Sequence, residues 1–399
     1  MHRNERLHIA MVGIPAVSHI MPSLEIIREL ASRGHRLTYA NDPRAADLVS
    51  SAGAELVPYT STLPIDDDSW PEDAISAMDV FLSEARAIMP AVRAAYEDDR
   101  PDVFLYDIAS YPARVLAENW GVPAVQLSPT YVAWKGYEDT VGAQIRSLPG
   151  ADDYFARFGA WLADQGVELS VDDFAGRPPR ALALIPRAMQ PFSETVDTDV
   201  VTFVGPCLGD RSHQGEWTPP PGAEDDRVLL VSLGSAFTDL PDFYAECIKA
   251  FGDLPGWHVV LQIGKHVRAE DLGEIPANIE VHPWVPQLSV LRRASAFVTH
   301  AGMGGSSEGL ACGVPMIAVP QFADQFSNAD MLQAAGVARR IDTEEATAEA
   351  LRSALEELTS SQEVARRLAE ISTELGHRGG TGFAADIIEE EAARGARRG

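Results

Sequence analysis

The feature that most narrows the folds open to this chain is the stretch from Trp284 to Gln325, WVPQLSVLRRASAFVTHAGMGGSSEGLACGVPMIAVPQFADQ. An apolar run, Ala294 to Thr299, stops at His300 and gives way to Gly302, Gly304, Gly305, Ser306 and Ser307, which open a short helical segment. A second apolar run, Val314 to Val319, follows and ends in Pro320. Strand, small-residue turn, helix and strand in that order form the unit of a parallel α/β sheet. At the helix start the unpaired backbone N–H groups point outward with the positive end of the helix dipole, so the turn reads as an anion site. His300 can donate a hydrogen bond to a diphosphate there, while Gly304, Gly305 and Ser306 offer their amides. Glu308, in the first turn of the helix, can reach ribose hydroxyls, and Asp324 and Gln325 can grip several hydroxyls from one side. Trp284, in a WVPQ loop with Val285 and Gln287, offers a flat face for a base. Base, ribose, diphosphate and hexose in that order describe a nucleotide sugar. Taken singly, each residue has a plainer reading: a glycine turn after a strand, a core tryptophan, a charge at a helix terminus. Pro283 and Pro286 favour a loop at Trp284 over a core strand.

The same alternation runs through the rest of the chain. His8 to Ile14 is apolar, Pro15 to Ser18 reads as a loop that leaves His19 just before a helix, and Ile20 to Arg33 repeats Leu24, Ile27 and Leu30 at three-residue steps. Gly34 ends that helix. Arg36 to Ala40, Val103 to Tyr106 and Ala124 to Leu127 read as strands, with a helix over about Tyr111 to Asn119. At 399 residues the chain exceeds what one core fills. A break falls in PCLGDRSHQGEWTPPPGAEDDR, which mixes glycines, three consecutive prolines and charges without periodicity. The expected organisation is residues 1–205 as a first domain, 206–226 as a linker, 227–382 as a second domain opening with Val228 to Leu233 and the turn Gly234, Ser235, and 383–399 as an amphipathic helix. The expected fold class is α/β: two facing Rossmann-like domains with a cleft between them and ligands at the carboxyl ends of both sheets.

Composition excludes several partners. With 32 basic against 59 acidic residues the formal net charge is −27, which argues against nucleic acid and anionic membranes. The acidity suits a cationic acceptor and equally a merely solubilising surface. Cys207, Cys247 and Cys312 lack metal-like spacing and read as buried thiols of a reducing cytosol. The first apolar stretch is broken by Gly13 and Pro15, and no run is long enough to cross a membrane, so a cytoplasmic protein is expected.

In the block from Trp284 to Gln325 and in the motifs YDIAS, LSPT and GDRSHQG, the chain resembles the GT-B nucleotide-sugar glycosyltransferases, and within them the actinobacterial macrolide glycosyltransferases, over nearly its whole length. By position alone His19 reads as a capping or packing residue before it reads as a base, and Asp107 as a cap for the helix near Ser110. The resemblance implies that His19 is the catalytic base and Asp107 its partner. It also implies that the last helix packs back on the first domain. Related macrolide enzymes carry a GHGHVNP-like loop; here AVSHIMP has Val17 and Met21 at its first histidine and its asparagine, so the acceptor contacts of this loop differ. The chain lacks a DxD-type acidic pair in a suitable loop, so no metal and no prosthetic group is expected. Glu308 and Gln287 on ribose hydroxyls favour UDP over dTDP, and Asp324 with Gln325 suits glucose. Ser235 would approach the phosphates. Trp70, Phe81, Tyr111, Tyr131 and Trp134 are candidates to line a pocket for a hydrophobic acceptor, each with ordinary core as the plainer reading. Asp66, Asp67 and Asp68 read as a solvated loop. The expected activity is inverting transfer from UDP-glucose to a hydroxyl of a macrolide or related polyketide, with a homodimer as an option. A silent binding protein of the same fold is the rival. A nicotinamide dehydrogenase is a weaker one, because the GMGGSS turn lies deep in the second half and places Ser307 at the third glycine position.

Overall fold

The computed structural model describes residues 6–65, 70–209, 211, 214–234, 238–378 and 380–397. Its strands come from short apolar runs, because a parallel sheet covered by helices on both faces buries every side chain along a strand. In the first unit these are β1 (His8–Val12), β2 (Arg36–Asn41), β3 (Glu55–Pro58), β4 (Val103–Asp107), β5 (Ala124–Ser128), β6 (Ala181–Ala183) and β7 (Val201–Phe203), ordered β3-β2-β1-β4-β5-β6-β7. In the second they are β8 (Arg227–Ser232), β9 (Trp257–Gln262), β10 (Ile279–His282), β11 (Ala294–Thr299), β12 (Met316–Ala318) and β13 (Ala338–Arg340), ordered β10-β9-β8-β11-β12-β13. Every adjacent pair is parallel. Both are Rossmann-like sheets, and the strand order reverses between β1 and β4 in one and between β8 and β11 in the other. The loops that leave the carboxyl ends of those strands are where such a sheet offers a crevice.

Contacts divide the chain into one unit of Met1–Leu184, Phe192–Cys207 and Gly379–Gly399 and another of Ile185–Pro191 and Leu208–Arg378. Ile185–Pro191, expected in the first domain, belongs with the second unit. So do residues 208–226 of the stretch expected to be a linker, whereas 206–207 stay with the first unit. The Trp217 backbone N–H donates to Ser289 Oγ (2.9 Å), its indole Nε1 donates to Glu280 (2.6 Å), and Arg292 donates to the Gly209 carbonyl (3.2 Å). A segment without periodicity is thus held by side-chain contacts to distant residues, which composition does not display.

The last helix, Thr381–Ala396, lies within the first unit, where Ala384, Ala385, Ile387, Ile388 and Ala392 join the core that also holds Leu24, Ile27 and Leu30. Cys207 and Cys247 are buried, while Cys312 keeps partial exposure, against the expectation of three buried thiols. Burial raises the Cys207 thiol to about 12 and the Cys312 thiol to about 11. Among the described residues no helix is long and apolar enough to cross a membrane.

Candidate active site

The first helix begins earlier than the sequence indicates. It runs Val17–Ser32, so His19 stands in its first turn and not in the preceding loop. The amides of His19 and Ile20 both bond the Ala16 carbonyl (2.9 and 3.0 Å), which extends the helix back to Val17 despite the polar Ser18. Gly13 sets the approach to this turn: a Cβ there would stand 2.7 Å from the Tyr39 hydroxyl, and the Gly13 carbonyl accepts a 2.5 Å bond from Tyr59.

His19 follows β1 and Asp107 ends β4, so the two flank the point where the sheet order reverses. His19 Nδ1 lies 2.8 Å from Asp107 Oδ2, and the other carboxylate oxygen accepts the Ala109 amide at 2.9 Å. A carboxylate only accepts, so this contact fixes the proton on Nδ1 and the ring lone pair on Nε2. The carboxylate is sealed at 2% side-chain exposure while the ring keeps 26%, so a charge-stabilising group lies behind a ring that solvent can reach. The capping reading of Asp107 does not hold: the helix Tyr111–Trp120 has Ser110 at its N-cap and no side-chain cap.

In the second unit, His300 leaves β11 and packs between two glycines. A Cβ on Gly302 would fall 2.4 Å from its Nε2, and one on Gly234 would fall 2.7 Å from its Cε1. Gly234 also has φ +80°, and Ala301 has φ +59°. Desolvation lowers the His300 pKa to about 4, with the Ser232 backbone opposing it. The ring is therefore neutral near pH 7 and can offer a hydrogen bond without a charge. The helix Met303–Ala311 starts at the Gly302 N-cap with no side-chain cap. One expectation is corrected here. The Ser306 amide already bonds the Gly302 carbonyl at 2.9 Å and its side chain is fully buried, so the open amides are those of Met303, Gly304 and Gly305. A Cβ at Gly304 would touch nothing within 4 Å, so the fold itself does not require glycine there.

Trp284 is 55% exposed in the loop after β10, and Val285 beside it is buried. Glu308 lies beyond the first turn of the helix Met303–Ala311, not within it as expected, and is 5% exposed, with Gln287 Nε2 at 2.7 Å from one carboxylate oxygen and Arg211 Nη1 at 2.5 Å from the other. Arg211 was not legible as a partner, since 97 residues separate the pair. Gln262, at the end of β9, was also missed: its Nε2 donates to the Gly234 carbonyl (3.0 Å) and its Oε1 accepts from the Val285 amide (3.0 Å), tying two turns together. A polar residue closing the run WHVVLQ was its one signal. Asp324 is exposed at the N-cap of the helix Gln325–Ala334, with Oδ2 accepting from Asn328 (3.1 Å). The Gln325 carbonyl oxygen is taken up by the amides of Gln321 (2.8 Å) and Phe322 (3.1 Å), so only its NH2 group remains to meet a sugar. The expectation that Asp324 and Gln325 grip several hydroxyls from one side narrows, for Gln325, to that NH2 group. Ser235 and Asp66, Asp67 and Asp68 lie outside the described residues.

The five acceptor candidates do not form one lining. Trp70 packs on Phe81 with ring centroids 5.6 Å apart, Tyr111 packs on Phe158 at 4.9 Å and Phe174 at 6.1 Å, and Trp134 packs on Tyr137 at 4.9 Å and Phe192 at 5.4 Å. Tyr111 belongs to an aromatic core, and burial raises its hydroxyl to about 12. Tyr131 is partly exposed beside buried Val132. A cavity of about 530 Å³ in the first unit is lined by none of the five; Thr62, Ile75, Asp79, Val80, Pro149 and Arg157 are among its walls. Among the described residues no group of three His, Cys, Asp or Glu is placed to hold a metal ion.

Residues 217–374 match the UDP-glucoronosyl and UDP-glucosyl transferase family. The chain is 56% identical to the oleandomycin glycosyltransferase of Streptomyces antibioticus over 391 residues, 96% of this chain and 90% of that one. It is 34% identical to the NDP-glycosyltransferase YjiC of Bacillus licheniformis, over 96% and 97% of the two chains. The solved glycotransferase of kitacinnamycin superposes with a TM-score of 0.89 at 52% identity, over 97% of this chain and 99% of that one. Two Rossmann-like units and likeness to such relatives along almost the entire length place the chain in the UDP-glucoronosyl and UDP-glucosyl transferase family, as a glycosyltransferase of GT-B type.

Proposed function

We propose that this glycosyltransferase moves glucose from UDP-glucose to a hydroxyl of a hydrophobic natural product, a macrolide or related polyketide, with inversion at the anomeric carbon. The observation that carries this reading is the 2.8 Å contact between His19 Nδ1 and Asp107 at the reversal point of the first sheet. Nε2 takes the acceptor's hydroxyl proton as that oxygen attacks the anomeric carbon, the bond from this carbon to the β-phosphate oxygen breaks, and UDP departs. Asp107 stabilises the imidazolium so formed. The Met303, Gly304 and Gly305 amides, the helix dipole and neutral His300 meet the growing charge on the diphosphate, and no step in this scheme calls on a metal. Trp284 stacks on the base, Gln287 and Glu308 meet the ribose, and Asp324 Oδ1 with the Gln325 NH2 group meets the glucose.

The name of the 56%-identical relative supports a macrolide acceptor, and the family description supports UDP. In that role the reaction either inactivates an antibiotic or tailors a natural product, in a reducing cytoplasm that suits the free thiols. The aromatic pairs Trp70–Phe81 and Trp134–Phe192, which keep exposed faces, suit an apolar acceptor better than Tyr111 does. His19→Ala should lower turnover with UDP-glucose and a macrolide by about 100-fold or more while UDP affinity stays within about twofold. Turnover near that of the unaltered enzyme removes His19 from its role, and an α-glucoside product by NMR overturns inversion.

A further inference from the structure

The segment from Gly209 to Trp217 has the composition of a linker but is fastened to the second unit at Arg292, Glu280 and Ser289. Arg211 sits between those anchors with φ +48°, a left-handed backbone that a non-glycine residue keeps only where its surroundings over-determine it. Its side chain is 15% exposed and its Nη1 meets Glu308 Oε1, while Gln287 meets Oε2. Each carboxylate oxygen has two acceptor positions, so this arrangement takes one on each and leaves one on each. The two that remain match in number the two hydroxyls of a ribose. Arginine only donates and always carries its charge, so it holds Glu308 in place as an acceptor of hydroxyl donors.

We infer that Arg211 is a positioning residue that fixes the Glu308 carboxylate for the two hydroxyls of a ribose and so sets the preference for ribonucleotide over 2′-deoxyribonucleotide donors. This rests on the reading of Glu308 as a ribose ligand. A merely structural ion pair would instead fasten the segment without affecting which sugar of the nucleotide is accepted.

The test is calorimetric titration of the full-length protein with UDP and with 2′-deoxy-UDP. The unaltered protein should favour UDP by about tenfold or more, the value of one hydrogen bond to a charged group. Arg211→Met should reduce that ratio below about threefold, chiefly by weakening UDP, and Arg211→Lys should restore part of it. Arg211→Gln gives the same comparison if the Met variant does not fold. A ratio kept in both variants, or an equal loss of both nucleotides, overturns the role of Arg211. Glu308→Gln separates the two layers. If it abolishes the ratio while Arg211→Met keeps it, only the positioning role fails. If Glu308→Gln also keeps the ratio, or the unaltered protein does not discriminate, the ribose reading fails and the positioning role with it.

Discussion

His300 shows how packing alone sets the protonation of a side chain at the proposed anion site. Packed between Gly234 and Gly302, it loses most of its hydration, and its pKa falls from the ordinary 6.5 to about 4. The depressed pKa makes folding favour the neutral ring, so the stabilisation is present above pH 6.5 and is lost as pH falls from 6.5 through about 4. Between pH 7 and pH 4.5 this amounts to about 2 kcal/mol. Urea unfolding, followed through the transition that UDP shifts, should show a loss over that range smaller by about this amount in His300→Asn than in the unaltered protein. Equal losses in the two proteins would mean that the ring is not held neutral by burial. The position of His300 was legible, because an apolar run stops at it and a glycine cluster follows. Its protonation was not, since desolvation depends on Gly234, far away in sequence. Arg211 and Gln262 were hidden for the same reason: their roles lie in bonds to Glu308, Gly234 and Val285, which no local pattern announces.

At the scale of elements, apolar runs located most strands because a doubly covered parallel strand is apolar throughout. Helix starts were less legible. Val17 and Ser18 read as loop, yet two bonds to the Ala16 carbonyl bring them and His19 into the helix. Gly302 and Gly304, at the start of the Met303–Ala311 helix, have different physical reasons, and substitution separates them. At Gly302 the backbone is ordinary, φ −60°, so an alanine there acts only by driving its Cβ into the His300 ring. Gly302→Ala should lower UDP affinity about tenfold and stability by about 1–3 kcal/mol, the usual range for overpacking. Gly304→Ala meets no protein atom and replaces glycine within a helix, so it should raise stability by up to about 1 kcal/mol. Its UDP affinity should nonetheless fall, because the added methyl stands where a diphosphate approaches the amides. Denaturant midpoints and UDP titrations check both, and Gly304→Ala with unaltered affinity would mean that the diphosphate does not lie against this turn.

For the whole molecule, the decisive element is the last one, because the chain completes its first unit only with residues that follow the second. The helix Thr381–Ala396 buries Ile387 and Ile388 against the helix Val17–Ser32 and its sheet. Arg33 holds Asp386 at 2.6 Å and Glu389 at 3.0 Å. His35 accepts the Leu7 amide on Nδ1, which leaves Nε2–H to donate to Glu389 at 2.8 Å. The exposed Arg33–Asp386 pair contributes little, whereas burying two isoleucines is worth about 3–6 kcal/mol, a large part of the 5–15 kcal/mol that typically holds a domain together. A chain ending at residue 380 should therefore leave the first unit unfolded or insoluble and abolish transfer. Ile388→Ala gives the graded version, with stability lowered by about 2–5 kcal/mol and the fold retained. The donor candidates all lie within Leu208–Arg378, so UDP affinity in Ile388→Ala should stay within about twofold while the melting temperature falls. A truncated chain that melts within a few degrees of the full one would show that the first sheet does not depend on its returning helix. A large loss of UDP affinity in Ile388→Ala would show that donor binding depends on the first unit as well.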